Sequence, residues 1–137
     1  MASSKTFACS VVTPDQAVLE CEATFAALPA HDGEIGILHN RAPLLCRLGI
    51  GRLRVETPEK KHVLFVAGGL AEMADNKLTV LTEEAVFPEK LVRDEIEASL
   101  AEALEMEIFD EVSRLTQQRA VERAKVQMKL LGEPSTS

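Results

Sequence analysis

Ile50-Gly51-Arg52-Leu53-Arg54-Val55-Glu56-Thr57-Pro58-Glu59-Lys60-Lys61-His62-Val63-Leu64-Phe65-Val66-Ala67-Gly68-Gly69 is the stretch whose reading decides the fold. Its first part alternates. Ile50, Arg52, Arg54 and Glu56 fall on one side and Gly51, Leu53 and Val55 on the other, the period of a strand with one wet face. Pro58-Glu59-Lys60-Lys61 reads as a hairpin turn. His62 to Ala67 is a strongly apolar strand closed by Gly68-Gly69. A lone hairpin is marginal in water, so further strands are required.

They lie on both sides. Phe7, Cys9 and Val11 alternate with Ala8, Ser10 and Val12, and Thr13-Pro14-Asp15 turns the chain. Val18 to Leu28 is a long extended run, with a kink predicted at Glu20-Cys21-Glu22, where the apolar phase changes. Leu70–Ala74 and Lys77–Leu81 flank Asp75-Asn76, a two-residue hairpin turn that tolerates positive φ. Gly49-Ile50-Gly51 and Gly68-Gly69 mark turns and close backbone approach. Many short strands at close spacing predict an antiparallel β-sandwich or barrel.

The pattern changes near Pro88. Six of the 7 Gly fall at or before Gly69, and Glu89 to Leu131 holds neither Gly nor Pro. Pro88 suits a first helical turn. Val92, Ile96, Leu100, Ala103 and Leu104 share one helical face, and Val112, Leu115, Val121, Ala124, Met128 and Leu131 form a rougher stripe. Gly132 and Pro134 stop it. A single helix would run roughly 65 Å at about 1.5 Å per residue, with no core to lean on. A two-helix hairpin is therefore expected, broken within residues 105–110, with Asp110 as N-cap. Residues 89–111 hold nine acids and two bases, and residues 112–131 five bases and one acid. Folded as a hairpin, the two halves should attract. The domains read as residues 1–87, a sandwich, and 88–137, a helical tail.

The chain of 137 residues is 46% hydrophobic and 27% charged, enough apolar content for a modest core. Net charge is −7, which argues against nucleic acid, whose phosphates need clustered Lys and Arg. There is no Trp or Tyr to stack bases or anchor a tight interface. Cys9, Cys21 and Cys46 have no metal spacing and read as reduced thiols of a cytosolic protein. No secretory signal and no apolar run of about 20 residues is visible, so membrane association is expected only through partner subunits.

Catalytic patterns are weak. His31 and His39 lie near Asp32 and Glu34, but their spacing fits no standard metal set. Cys46 sits in an apolar run and reads as core. No phosphate-cradling glycine loop and no nucleophile elbow occurs. Besides an interaction protein, one could imagine a small hydrolase using Glu34 and His39, or a β-sandwich adaptor with a helical arm in another complex.

Five blocks carry a family resemblance. They are Val12-Thr13-Pro14-Asp15; Gly33 to Leu38 with Arg41-Ala42-Pro43-Leu44-Leu45; Leu48 to Arg54; Val66 to Met73; and Asn76 to Leu81. In this order and spacing the chain resembles epsilon subunits of F-type ATP synthases. The resemblance implies a non-catalytic rotor part of the central stalk that couples proton flow to ATP synthesis. Its implied partners are the gamma subunit, the polar loops of the c ring and, through the tail, the alpha/beta catalytic head. Glu34 then takes the acidic ring-contact position. Arg41 stands where a His often contacts gamma and the ring, and Pro43 fixes the loop. The implied tail either folds against the sandwich or extends into the head and blocks hydrolysis, with Arg114, Arg119, Arg123, Lys125 and Lys129 as the expected contacts with an acidic surface of the head. ATP-binding members carry an Ile/Leu-Asp-x-x-Arg-Ala motif, whereas here Leu91-Val92-Arg93-Asp94-Glu95-Ile96 lacks the Asp and the Arg-Ala pair in their places. The second helix keeps Arg119-Ala120 and Arg123. No cofactor is therefore expected, and ATP sensing is weak or absent. The implied location is peripheral, on the cytoplasmic face of a bacterial inner membrane, or the stromal face of the thylakoid if plastid.

Overall fold

The computed structural model describes residues 5–136. Ten strands come first: β1 Phe7–Val12, β2 Ala17–Ala23, β3 Phe25–Ala30, β4 Gly33–Ile37, β5 Leu44–Arg47, β6 Ile50–Glu56, β7 Lys61–Ala67, β8 Leu70–Ala74, β9 Lys77–Leu81 and β10 Ala85–Val86. Helices α1 (Arg93–Leu104) and α2 (Glu111–Leu130) follow. One sheet has the order β2-β1-β9-β8-β5 and the other β10-β7-β6-β3-β4. Alternation builds the layer between them. Phe7, Cys9 and Val11 point in from β1, Leu53 and Val55 from β6, Met73 from β8, and Leu78 and Val80 from β9. The expected sandwich followed by a helical hairpin is what the chain forms.

Both predicted hairpins are present. Asp75 (φ 52°) and Asn76 (φ 57°) make the β8–β9 turn in the left-handed region that Asn and Asp tolerate. Gly69, in the link between β7 and β8, is a position that admits no side chain. Its φ is +114°, and a Cβ would lie 2.0 Å from the carbonyl oxygen of Leu81.

Three expectations are corrected. First, the run from Val18 to Leu28 does not break at Glu20-Cys21-Glu22. Leu19, Cys21 and Ala23 stay in register with β1 and face inward, so period 2 continues through that segment. The break is at Thr24, whose N–H donates to the Glu56 carbonyl (2.7 Å) and passes the chain from one sheet to the other. Second, one strand pair is not antiparallel. β9 returns beside the free edge of β1 and pairs with it in parallel, from Ala8↔Lys77 to Val12↔Leu81. The intervening chain spans nearly the whole sandwich, so the long connection a parallel pair needs is already present. Third, Pro88 does not start the long helix. It opens a 3-10 turn, Pro88–Lys90, after which Leu91 and Val92 are extended and α1 begins only at Arg93.

The break between helices falls where expected. Asp110 is the N-cap of α2. Its carboxylate accepts from the Ser113 N–H at 2.7 Å, while the Ser113 hydroxyl accepts from the Asp110 N–H at 3.1 Å. On α1 the expected Ile96 and Ala103 are buried, whereas the expected α2 stripe holds only in part. Val112 and Leu115 are exposed, and α2 buries Ala124, Gln127 and Leu130. Nor do the charged halves attract through ion pairs: among the described residues none joins α1 to α2. Buried Ile96 and Ala103 on α1 and Ala124 on α2 serve instead, with the Gln117 amide donating to the Ala103 carbonyl at 3.0 Å.

The tail lies on β6 and β7. Val126 and Leu130 cover Val63, Phe65 and Ala67 on the outer face of β7. Beyond Gly132, the Ser135 carbonyl accepts from the Val63 N–H at 2.9 Å, and Thr136 bridges His62. Arg52 pairs with Glu133 at 2.5 Å.

The Asp110 carboxyl is held below the ordinary Asp range, chiefly by the backbone N–H of Ser113. A carboxyl lowered in the folded state contributes stability above its unfolded pKa and loses it as pH falls through the folded value. Asp110→Ala should therefore lower the melting temperature at neutral pH. The gap to wild type should close in acid, as thermal melts followed by circular dichroism across pH will show.

Candidate functional site

Three surfaces stand out. The first is the outer face of the β2-β1-β9-β8-β5 sheet. Outward residues there are the ones that alternate away from the core: Ala8, Ser10 and Val12 on β1, Thr79 and Leu81 on β9, Leu70 and Glu72 on β8, and Leu45 and Arg47 on β5. Strand register sets Val12, Leu81 and Leu70 side by side across three neighbouring strands. Leu45 is 67% exposed, with Leu70 and Leu81 also well exposed. The tail covers the opposite sheet and leaves this row bare. A cluster of exposed aliphatic residues bordered by charged ones, Glu20 and Glu22 on β2, Lys77, Glu72 and Arg47, is the surface character of a protein contact.

The second surface is the pair of sandwich ends that carries the sequence-predicted contacts. Glu34 is exposed on β4 opposite Pro29, beside the turn at His31 and Asp32. The His31 N–H donates to the Arg47 carbonyl, so this end also holds the start of β8. Gly51 makes the close approach there, since a Cβ would meet the Pro29 ring at 2.7 Å. Arg41 belongs to the other end. The turn before it is anchored by the Asn40 N–H donating to the Asn76 side chain at 2.6 Å, and Asn76 in turn donates to the Thr6 carbonyl at 2.9 Å. The Arg41 guanidinium donates to the Ala42 carbonyl at 3.3 Å. Pro43 is exposed just before β5. The structure therefore places Glu34 and Arg41 at opposite ends of the sandwich. His31 and His39 are separated in the same way, and no group of three or more metal-ligating side chains lies among the described residues.

The third surface is the tail. The five basic residues do not share one face. Arg114 is exposed and bound to Glu111 through two hydrogen bonds, at 3.0 and 2.6 Å. That pairing raises Arg114 and lowers Glu111. Lys125 and Lys129 face solvent. Arg123 turns toward the sandwich. Its Nε donates to Glu84 at 2.9 Å, a second nitrogen donates to the other oxygen, and the guanidinium stacks over the Phe65 ring at 5.8 Å. The Glu84 carboxylate raises Arg123 further above its ordinary range. Arg119 approaches Gly68 beside it. At the far end the hairpin turn is apolar and bare, with Phe109 80% exposed and Ile108, Val112 and Leu115 nearby.

Sequence reasoning missed Glu84 and the Val12–Leu81–Leu70 row. Neither leaves a periodic signal. Glu84 is one acid in a short loop, and the row joins the β8–β9 hairpin to β1, which is distant in the chain.

Arg123→Gln should leave a folded sandwich at a cost of about 1 kcal/mol, because the pair is partly exposed. The tail should then be cut faster by protease. Limited proteolysis followed by mass spectrometry reads both effects.

The sequence profile described as ATP synthase, Delta/Epsilon chain, beta-sandwich domain matches residues 6–88. The ATP synthase epsilon chain of Rhodopirellula baltica is 41% identical over 121 residues, spanning 88% of this chain and 94% of that one. The ATP synthase epsilon chain of Nitratidesulfovibrio vulgaris (strain DP4) is 36% identical over 129 residues, spanning 89% and 92%. Among solved structures, a chain of the Euglena gracilis mitochondrial ATP synthase superposes with a TM-score of 0.81 at 22% identity, over 94% of this chain and 83% of that one. A central-stalk and c-ring structure of the Tetrahymena thermophila mitochondrial ATP synthase gives 0.68 at 13% identity, over 93% and 98%. These two likenesses are of fold.

Proposed function

The chain belongs to the ATP synthase delta/epsilon family, and from that membership we propose that it works as a non-catalytic, epsilon-type subunit of a rotary ATP synthase. In this reading it turns with the central stalk and couples proton flow to ATP synthesis. The observation that carries the reading is the division of the sandwich into a sheet covered by the chain's own tail and a sheet left bare. The gamma subunit docks on the bare face through Val12, Leu70 and Leu81. The end bearing Glu34 meets the polar loops of the c ring, and Arg41 and Pro43 edge the gamma contact from the other end. No described helix is long and apolar enough to cross a membrane. The location proposed is peripheral, on the cytoplasmic face of a bacterial inner membrane, held there by partner subunits.

The tail is proposed to act on the alpha/beta catalytic head. Its bare tip from Ile108 to Val112 and its outward bases Arg114, Lys125 and Lys129 supply an apolar and cationic contact. Arg119 is exposed already, and Arg123 becomes available only when the tail leaves the sandwich and its pairing with Glu84. ATP is not proposed as a ligand. Arg123 is already paired with the Glu84 carboxylate, and the first helix lacks the family motif.

Size-exclusion chromatography with a catalytic head containing gamma should give a stoichiometric complex, and Leu81→Glu should abolish it while the free chain stays folded. A complex unchanged by Leu81→Glu would move gamma to another face. No complex at all, with a well-folded chain, would favour the adaptor reading.

Removing the tail after Phe87 would also strip the cover from Val63 and Phe65. The cleaner variant is Phe109→Ser with Val112→Ser, which touches only the bare tip. It should raise ATP hydrolysis by the assembled enzyme with assembly unchanged, and unchanged hydrolysis would remove the inhibitory role. Millimolar ATP should leave protease cleavage of the tail as it is.

A further inference from the structure

Cys9 and Cys21 stand directly opposite each other on β1 and β2. Both face the sandwich core: Cys9 is buried, and Cys21 is half-buried against the same cluster. Antiparallel partners have Cα atoms about 4.5–5.5 Å apart, inside the range of about 4.4–6.8 Å that a disulfide spans. β2 is the outermost strand of its sheet, with a partner on one side only, so Cys21 lies at the rim. Cys46 is on β5, the opposite edge of that sheet, out of reach of either.

The two sulfurs are unequal. The Cys9 thiol donates toward Cys21 and keeps its own proton, raised by that contact and by burial. The same contact lowers Cys21, against the opposing effects of partial burial and the neighbouring Glu22 carboxylate. A half-buried sulfur at the sheet rim backed by a buried thiol is the arrangement of an attacking and a resolving cysteine. Cys46 is raised by burial and has no such neighbour.

We propose that Cys9 and Cys21 form a cross-strand dithiol that small disulfide oxidants convert to an intramolecular disulfide, stapling the edge strand β2 to β1. The Cys21 thiolate attacks one sulfur of the oxidant, R–S–S–R, forming a mixed disulfide and expelling RS⁻. Cys9 gives its proton to a departing thiolate and attacks the Cys21 sulfur, expelling the second. The dithiol loses two protons and two electrons, and the oxidant, having taken both, leaves as two RSH. The staple closes the β1–β2 hairpin and leaves the inward packing of both residues in place. The inference stands independently of the rotor reading.

The test is incubation of the full chain with 2-hydroxyethyl disulfide, alkylation of the remaining thiols, and digestion with a protease that cuts after acidic residues. Asp15 and Glu20 lie between the two cysteines, so a linked pair of peptides is diagnostic. Two of the 3 thiols should disappear, joined as Cys9–Cys21, with Cys46 still alkylated. The linkage should form more slowly in urea, which removes the register. Cys46→Ser should leave it unchanged, and Cys9→Ser should stop the reaction at the mixed disulfide on Cys21. Three alkylated thiols, bridges through Cys46, or equal rates in urea would each overturn the proposal.

Discussion

β7 is apolar on both faces, and the arrangement of the molecule follows from that. Leu64 and Val66 point into the sandwich, while Val63, Phe65 and Ala67 point out. A strand with one wet face would alternate; this one needs a cover on each side. The second sheet supplies one. The tail supplies the other, through Val126 and Leu130, with Arg123 stacked on Phe65 and tied to Glu84. The face of the molecule that carries its own tail is thus set by β7. The face left for partners is the other sheet.

The same contact bears on any switching of the tail. A fully buried Phe or Leu side chain contributes roughly 1.5–3 kcal/mol relative to exposure. Lifting the hairpin would expose Phe65 and Leu130 together and free Arg123 and Glu84. A partner that draws the tail out must offset that loss with contacts of its own. The bare tip and outward bases are where such contacts are available, since they take no part in holding the tail down. Binding surface and fastening surface are separated on α2: Arg114, Lys125 and Lys129 face away, whereas Ala124, Gln127 and Leu130 face in.

Much of the architecture was legible in the chain, and the failures have a common origin. Alternation in β1 and β6, the Asp75-Asn76 turn, the glycine approaches and the Asp110 cap are all local, each settled within a few residues. The break at Thr24 was misplaced because Glu20 and Glu22 looked like a phase change, when they are the wet face around an inward Cys21. The parallel β1–β9 pair depends on two strands nearly seventy positions apart. The α2 stripe was only partly right, Ala124 being buried but Val112 and Leu115 exposed, because α2 packs on a sheet as well as on α1 and burial follows both neighbours. The five basic residues looked like one face only as a count of charge.

By itself, the sequence determined the sandwich, the hairpin, the composition boundary near Pro88 and, through five short blocks, the family. These are properties of period, turn chemistry and composition, carried by near neighbours. Only the tertiary structure decided that Glu34 and Arg41 occupy opposite ends, that Glu84 takes Arg123, that Val12, Leu70 and Leu81 form a row, and that Cys9 faces Cys21. Each depends on strand order and register, which come from burying the whole core at once rather than from any one segment.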